Sequence, residues 1–251
     1  MKQEKSMILF SDFDQTLFFR NDPKKTNDNF EAIVNWRTAG NQFCITTGRS
    51  YSSILLQFPQ IEKVSNYYIV DSGSIILSHS GDLLKAFYFK PKIVSDIINF
   101  SKNLPEALIP FYYTPTSENG IHKINEITKL RLWSDDVSIL PKIAQQINKL
   151  FPVFALVNQN VISKHKELVG QKGFIEIIPI NYGKGHAIQF LQQNSNISAN
   201  NIITIGDGLN DYEMIKLFNG FSTENSVLSK TYPELNTAQS ISSLINQLLR
   251  Q

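Results

Sequence analysis

Asp12 and Asp14 stand one residue apart where an apolar run, Met7-Ile8-Leu9-Phe10, gives out, and Thr16 follows them. Residues two apart on a strand point to the same side, so this spacing predicts two carboxyls at a strand end, projecting into one crevice. Two like charges about 4 Å apart repel by about 4 kcal/mol at an effective dielectric of 20, and such pairs are held by a cation, a shared proton or a reaction. A plain strand-end turn, with Asp14 capping a following helix, is the other use of these residues. A second acidic cluster, Gly206-Asp207-Gly208-Leu209-Asn210-Asp211, follows another apolar run, Asn201 to Ile205, and weighs against the plain turn.

Those runs belong to a repeating pattern. Phe30, Ile33, Val34 and Arg37 fall at helical spacing, and Gly40 is placed to end that helix. A strand is expected over Gln42 to Thr46, then a helix capped by Ser50 with Ile54, Leu55 and Phe58, then a strand from Tyr67 to Val70 that stops at Asp71-Ser72-Gly73. This βαβαβ order predicts a parallel sheet. It resumes with a helix from Lys184 to Gln193, a strand from Asn201 to Ile205 and a helix from Leu209 to Phe218. A closing amphipathic helix carries Ile241, Leu244, Ile245, Leu248 and Leu249. Between the halves, strand-like pieces (Leu83 to Phe89, Leu108 to Tyr113, Ile127 to Trp133, Val153 to Val157, Phe174 to Ile178) alternate with two helical ones. The expected organisation is therefore an α/β core over 1–80 and 181–251, with an α+β domain inserted over 81–180.

In open parallel sheets, ligands bind beyond the carboxyl ends of the strands. Asp12 and Asp14, Thr47-Gly48-Arg49, and the segment Gly206 to Asp211 all sit at such ends, so they are expected to meet. Four carboxylates (Asp12, Asp14, Asp207, Asp211) in one pocket call for a counter-charge. A hard divalent cation such as Mg²⁺, which takes one or two carboxylates plus substrate phosphate, supplies it. Lys184, flanked by Gly183 and Gly185, adds a positive charge, and Thr47 with the Gly48 amide at a helix start suits an anion. These features describe a metal-assisted phosphoryl site.

The four segments resemble, in order, the motifs of the haloacid dehalogenase superfamily: Asp12-Phe13-Asp14-Gln15-Thr16, Thr47-Gly48-Arg49, Gly183-Lys184-Gly185 and Gly206-Asp207-Gly208-Leu209-Asn210-Asp211. The long insertion between the second and third resembles that of the Cof-type branch with a C2B cap. The resemblance implies a Rossmann-like core with an α+β cap, and a Mg²⁺-dependent phosphatase. It makes Asp12 the nucleophile that forms an aspartyl-phosphate and Asp14 the acid and base. It gives Thr47 and Lys184 the phosphoryl oxygens, with Phe13, Gly48 and Asn210 also at the phosphate. Asp12, Asp207 and the Asp14 backbone carbonyl would bind the metal, and Asp211 would orient its water. Gln15 stands where the family has glycine, Ser72-Gly73 replaces Asn-Gly, and Ser222-Thr223-Glu224-Asn225-Ser226 replaces a Met-Gly-Asn-Ala type of loop.

Composition excludes several other classes. The chain has 251 residues, 42% of them hydrophobic, enough to bury a core, and a formal charge of +2 without a basic run predicts no nucleic-acid partner. Cys44 is the only cysteine, so neither an internal disulfide nor a cysteine metal cluster is available, which fits a cytoplasmic location. The polar start and four-residue apolar run suit no signal peptide, and no stretch approaches a membrane span. Asn196-Ile197-Ser198 is read as a chance sequon. His79, His122, His165 and His186 show no metal-binding pairing. Cys44 and Trp36 are read as packing residues, and Trp133 as the better functional candidate of the two tryptophans. The expected partner is a small phosphorylated metabolite, a sugar phosphate first, and the protein a monomer or weak homodimer. A phosphomutase and a catalytically silent metabolite-binding protein are the alternatives on the same scaffold.

Overall fold

The computed structural model describes residues 6–115, 124–159, 161, 166–180, 183–195 and 197–250. Two compact units divide the chain: Met1–Lys85 with Gly183–Gln251, and Ala86–Tyr182. The first contains, in chain order, β1 (Ile8–Ser11), α1 (Pro23–Thr38), β2 (Gln42–Thr46), α2 (Tyr51–Gln57), β3 (Tyr67–Val70), β4 (Ile75–Ser78) and β5 (Leu83–Ala86). The second follows with α3 (Pro91–Lys102), β6 (Ile109–Tyr113), β7 (Lys129–Ser134), α4 (Leu140–Leu150), β8 (Val153–Gln159) and β9 (Gly173–Pro179). The first unit closes with α5 (Lys184–Asn194), β10 (Ile202–Gly206), α6 (Tyr212–Leu217), β11 (Phe221–Thr223), α7 (Val227–Thr231), β12 (Asn236–Ala238) and α8 (Ile241–Leu248).

The first unit is built on an eight-stranded sheet in the order β12-β11-β10-β1-β2-β3-β4-β5. From β12 to β3 the strands are parallel, with Leu9 opposite Ile203 and Phe43, and β4 then returns antiparallel to β3. β1, β2, β3 and β10 lie within a residue or two of the expected strands because each is a buried apolar run with a polar stop. Leu83 to Ala86, expected in the inserted domain, instead forms the sheet's outer strand, where Leu83 and Leu84 are half exposed. Residues after Leu209 form a single tight turn before α6, so the expected helix is shorter and begins at Tyr212.

Asp22 caps α1 by accepting from the Lys25 amide, and Pro23 occupies the first turn, where no N–H is needed. Its buried stripe is Thr26, Asn29, Ala32, Ile33 and Trp36. The stripe differs from the expected one: Val34 is exposed and Arg37 is only half-buried. The large Trp36 ring claims the core, donating its Nε1–H to the Gln42 carbonyl at 2.7 Å. α8 begins with a reciprocal box between Ser240 and Ser243 and packs Ile241, Leu244 and Ile245 into the same core.

The inserted unit is a four-stranded antiparallel sheet in the order β6-β7-β9-β8. Val94 and Ile97 of α3, with Ile143 and Ile147 of α4, join a core with Leu130, Leu132, Ile175 and Ile177 from one face of that sheet. Phe111, Tyr113, Trp133 and Phe174 alternate onto the other face with Leu168. Trp133 is therefore buried against Phe174. The architecture is the mixed α/β core with a separate α+β insertion that the sequence implies. His122, His165 and Asn196 of the sequon lie outside the described residues.

The loop after β1 folds back sharply, the Leu17 and Phe18 amides both donating to the Phe13 carbonyl. Gln15 takes a left-handed φ of 59° there, the conformation in which a Cβ is strained by about 1–2 kcal/mol. Glycine relieves that strain and costs about 0.5–1 kcal/mol in chain entropy. Gln15→Gly is therefore expected to stabilise the protein by about 0.5 kcal/mol in urea unfolding.

Candidate active site

β1 delivers Asp12 to its end, where the Asp12 amide still pairs with the Ile205 carbonyl of β10 at 2.9 Å. Lys184 opens α5 and is 1% exposed. Its Nζ donates to Asp12 Oδ1 and to Asp211 Oδ1, each at 2.5 Å. Asp211 spends its other oxygen on the backbone, Oδ2 accepting from the amides of Asp207 at 3.0 Å and Gly208 at 2.9 Å. Thr16 Oγ1 donates to Asp207 Oδ1 at 2.9 Å. One oxygen from each of Asp12, Asp207 and Asp211 lies within 4.8 Å of the others. Residues distant in sequence thus form one acidic cluster, set by the neighbouring ends of β1 and β10.

Burial pushes the Asp12 carboxyl well above its ordinary range; Lys184 pulls it back, and the charges of Asp211 and Asp207 push it up again. Burial, followed by the charge of Asp211, pushes Asp207 up to about 6. For Lys184, burial alone would favour the neutral amine, but Asp12 and Asp211 overcome it and hold the ammonium above its usual value. Three carboxylates face the one ammonium that binds two of them. The donor set is all oxygen and carries excess negative charge, which fits a hard divalent cation.

Asp14 does not join this cluster. The expectation of four converging carboxylates fails because β1 ends at Ser11, so the alternation of a strand no longer governs Asp14, which lies in the turn closed by Gln15 N–H and the Phe18 carbonyl. Its carboxylate is gripped by Arg49 instead, through Nε to Oδ2 and Nη2 to Oδ1, both at 2.6 Å. The guanidinium also donates to Ser53 and lies over the Phe13 ring. Arg49 was visible only as the last residue of Thr47-Gly48-Arg49; its partner, 35 positions away, leaves no local signal.

The remaining candidates lie on the segments that follow β1, β2 and β10. Phe13 is fully buried and stacked on Phe18, so only its backbone is available to a phosphate. Thr47 is buried on the turn after β2, its Oγ1 accepting from the Arg49 amide, with Gly48 between them. Asn210 reaches over Gly208, where a Cβ would come 2.5 Å from its Oδ1. Behind them, Asp71 (φ 49°), Ser72 (φ 61°) and Gly73 (φ 100°) form a left-handed turn. Ser72 N–H holds the Thr47 carbonyl and Asp71 N–H the Arg49 carbonyl. Gly73 meets the backbone of Gly183 and Lys184 so closely that a Cβ would lie 2.4 Å from the Gly183 carbonyl carbon. This turn braces the Thr47 segment against the Lys184 segment. His186 pairs with Glu213 at 2.5 Å, and His79 is exposed. Cys44 is buried, and burial pushes its thiol up, so it is an inert packing residue.

Removing the central ammonium leaves two buried carboxylates without their counter-charge, so Lys184→Met is expected to lower unfolding free energy by about 3–5 kcal/mol in urea. Asp207 has the opposite sign. Its folded pKa of about 6 exceeds the ordinary 3.8, so its contribution to stability is full below the unfolded value and is lost as pH rises through the folded one. Metal-free Asp207→Asn is expected to be more stable than the parent at neutral pH, by about 2 kcal/mol, and to lose the pH dependence between 4 and 6 in thermal unfolding.

The family model of haloacid dehalogenase-like hydrolases matches residues 9–227. A Mycoplasma capricolum subsp. capricolum protein is 26% identical over 235 residues, spanning 84% of this chain and 87% of its own. A protein of Mycoplasma pneumoniae named "Putative phosphatase" is 22% identical over 255 residues, with 86% of each chain covered. The solved structure of the HAD subclass IIB sugar phosphatase BT4131 covers 98% of both chains with a TM-score of 0.74 at 13% identity, a likeness of fold. The acidic strand-end cluster with its buried lysine lies inside the span of the family model, and the chain belongs to the haloacid dehalogenase-like hydrolases.

Proposed function

We propose that the protein is a Mg²⁺-dependent phosphatase of small phosphorylated metabolites, with sugar phosphates as the first class to test. The observation that carries this reading is the unequal treatment of two neighbouring aspartates. Asp12 is buried and bonded to Lys184, whereas the Asp14 carboxylate is 45% exposed and oriented by Arg49. One is built as a fixed, charge-compensated oxygen nucleophile; the other faces solvent, where a proton can be given and taken. A relative named as a phosphatase and a fold shared with a sugar phosphatase support the same conclusion.

Asp12 Oδ would attack phosphorus, and the bond from phosphorus to the ester oxygen would break as Asp14 protonates that oxygen. Water would then attack the aspartyl-phosphate, giving a proton to Asp14 and releasing inorganic phosphate and the Asp12 carboxylate. Thr47, the Gly48 amide, the Phe13 backbone, Asn210 and Lys184 would hold the phosphoryl oxygens. Asp12, Asp207 and the Asp14 carbonyl would hold Mg²⁺, which when bound supplies neutralisation of phosphoryl charge. Asp211, occupied by Lys184 and two amides, would fix the lysine and the loop at Asp207. The buried single cysteine suits the cytoplasm, and no helix among the described residues is long and apolar enough to cross a membrane. A monomer or weak homodimer completes the reading, since every proposed catalytic group comes from one unit of one chain.

Release of p-nitrophenol from p-nitrophenyl phosphate should depend on Mg²⁺ and disappear in Asp12→Asn; unchanged release in that variant would sink the mechanism. Arg49→Ala should lower kcat by about 10²-fold with a smaller effect on KM, because it frees the acid and base from its productive orientation.

A further inference from the structure

Asn29 is fully buried near the middle of α1, yet both polar atoms of its side chain have partners outside that helix. Its Nδ2 donates to the carbonyls of Thr16 at 3.1 Å and Leu17 at 3.3 Å, and its Oδ1 accepts from the Ser242 amide at 3.1 Å. Both ends answer a local need. The left-handed kink at Gln15 turns Thr16 and Leu17 into the core, where neither is exposed, and their carbonyls need donors other than water. Ser242 lies in the first turn of α8, where backbone amides have no partner within the helix. The side chain of Thr16, meanwhile, points the other way and donates to Asp207 Oδ1 at 2.9 Å. Asn29 thus clamps the backbone of the residue whose hydroxyl sets the Asp207 carboxylate.

We propose that Asn29 is a positioning residue for the metal site: anchored on the start of α8, it holds Thr16, and Thr16 fixes Asp207 in its ligating orientation. This rests on the reading of Asp207 as a Mg²⁺ ligand. Outer partners that orient a ligand change metal affinity by about 10–100-fold when removed. A clamp that served only the core would, on removal, lower thermal stability and leave the affinity of the folded protein for Mg²⁺ intact. The two roles therefore separate in a binding measurement.

The experiment is calorimetric titration of Mg²⁺ into metal-free, full-length protein, with thermal unfolding and the KM for p-nitrophenyl phosphate at saturating Mg²⁺ measured alongside. Asn29→Ala and Thr16→Val are expected to weaken Mg²⁺ binding at least about tenfold with KM unchanged, and Thr16→Ser, which keeps the hydroxyl, to restore it. Parental Mg²⁺ affinity in either Asn29→Ala or Thr16→Val, with only the melting temperature lowered, would overturn the inference. Should Asn29→Ala not fold, the comparison of Thr16→Val with Thr16→Ser decides: equal affinities overturn it. No Mg²⁺ binding by the parent protein would overturn the proposed function itself, a result distinct from binding that the variants leave untouched.

Discussion

The Lys184 ammonium, buried and bonded to Asp12 and Asp211 at 2.5 Å each, is the interaction on which the centre depends. A buried carboxylate without a partner carries a desolvation penalty of several kcal/mol, and here three approach one another. Lys184 makes two of them tolerable. Its position in turn requires that α5 begin beside the ends of β1 and β10, and much of the surrounding backbone serves that placement. Gly73 lets the turn after β3 lie against Gly183 and Lys184, while Gly183 and Gly185 leave room for Glu213 of α6. At Gly73, where a Cβ would lie 2.4 Å from backbone that cannot swing aside, glycine is a condition of the close approach.

A second layer of hydrogen bonds determines which way each carboxylate faces. Asp211 reaches Lys184 with one oxygen and the amides of 207 and 208 with the other, so the same side chain anchors the cation and shapes the loop that presents Asp207. Thr16 turns Asp207, and Arg49 turns Asp14. Non-glycine residues in left-handed conformations, Gln15 in one loop and Asp71 and Ser72 in another, occur next to these contacts. Each costs on the order of 1–3 kcal/mol, sustained by well-packed surroundings, and local strain of this kind gathers where geometry matters more than stability.

How much of this was legible in the sequence follows from the range of the signal. β1, β2, β3 and β10 were readable because each is an apolar run stopped by residues of a different kind, and the stops carry the chemistry. β12 was not: in Asn236–Ala238 two of three residues are exposed and no alternation marks it. β5 was read as strand-like but placed in the insertion, since an edge strand with two half-exposed leucines carries no mark of the sheet it joins. On α1 the spacing included Val34, which is exposed, and gave no sign of Asn29, which the helix turns inward beside the expected packing residue Trp36, because buried carbonyls need its amide. Asn29 looks like a surface residue to any hydrophobic count. Its role depends on Thr16, Leu17 and Ser242, which only the folded chain assembles.

Asp12 and Asp14 show how far residue spacing alone can place a side chain. Strand periodicity placed Asp12 and Asp14 in one crevice, but it applies only while the strand lasts, and β1 stops before both of them. The divergence that results is chemically more useful than convergence. Were both carboxylates to share the pocket with Asp207 and Asp211, each would raise the cost of ionising the others, and Lys184 with a divalent ion would have four charges to offset. With Asp14 drawn aside by Arg49, the cluster keeps three carboxylates, and one of these, Asp211, has both oxygens already engaged. Asp12 and Asp207 are then the carboxylates with oxygens left for a cation, in number what a Mg²⁺ site shared with a phosphate takes from protein carboxylates. The exposed turn that breaks the strand pattern is therefore what separates the proposed proton-transfer group, Asp14, from the proposed nucleophile only two residues away.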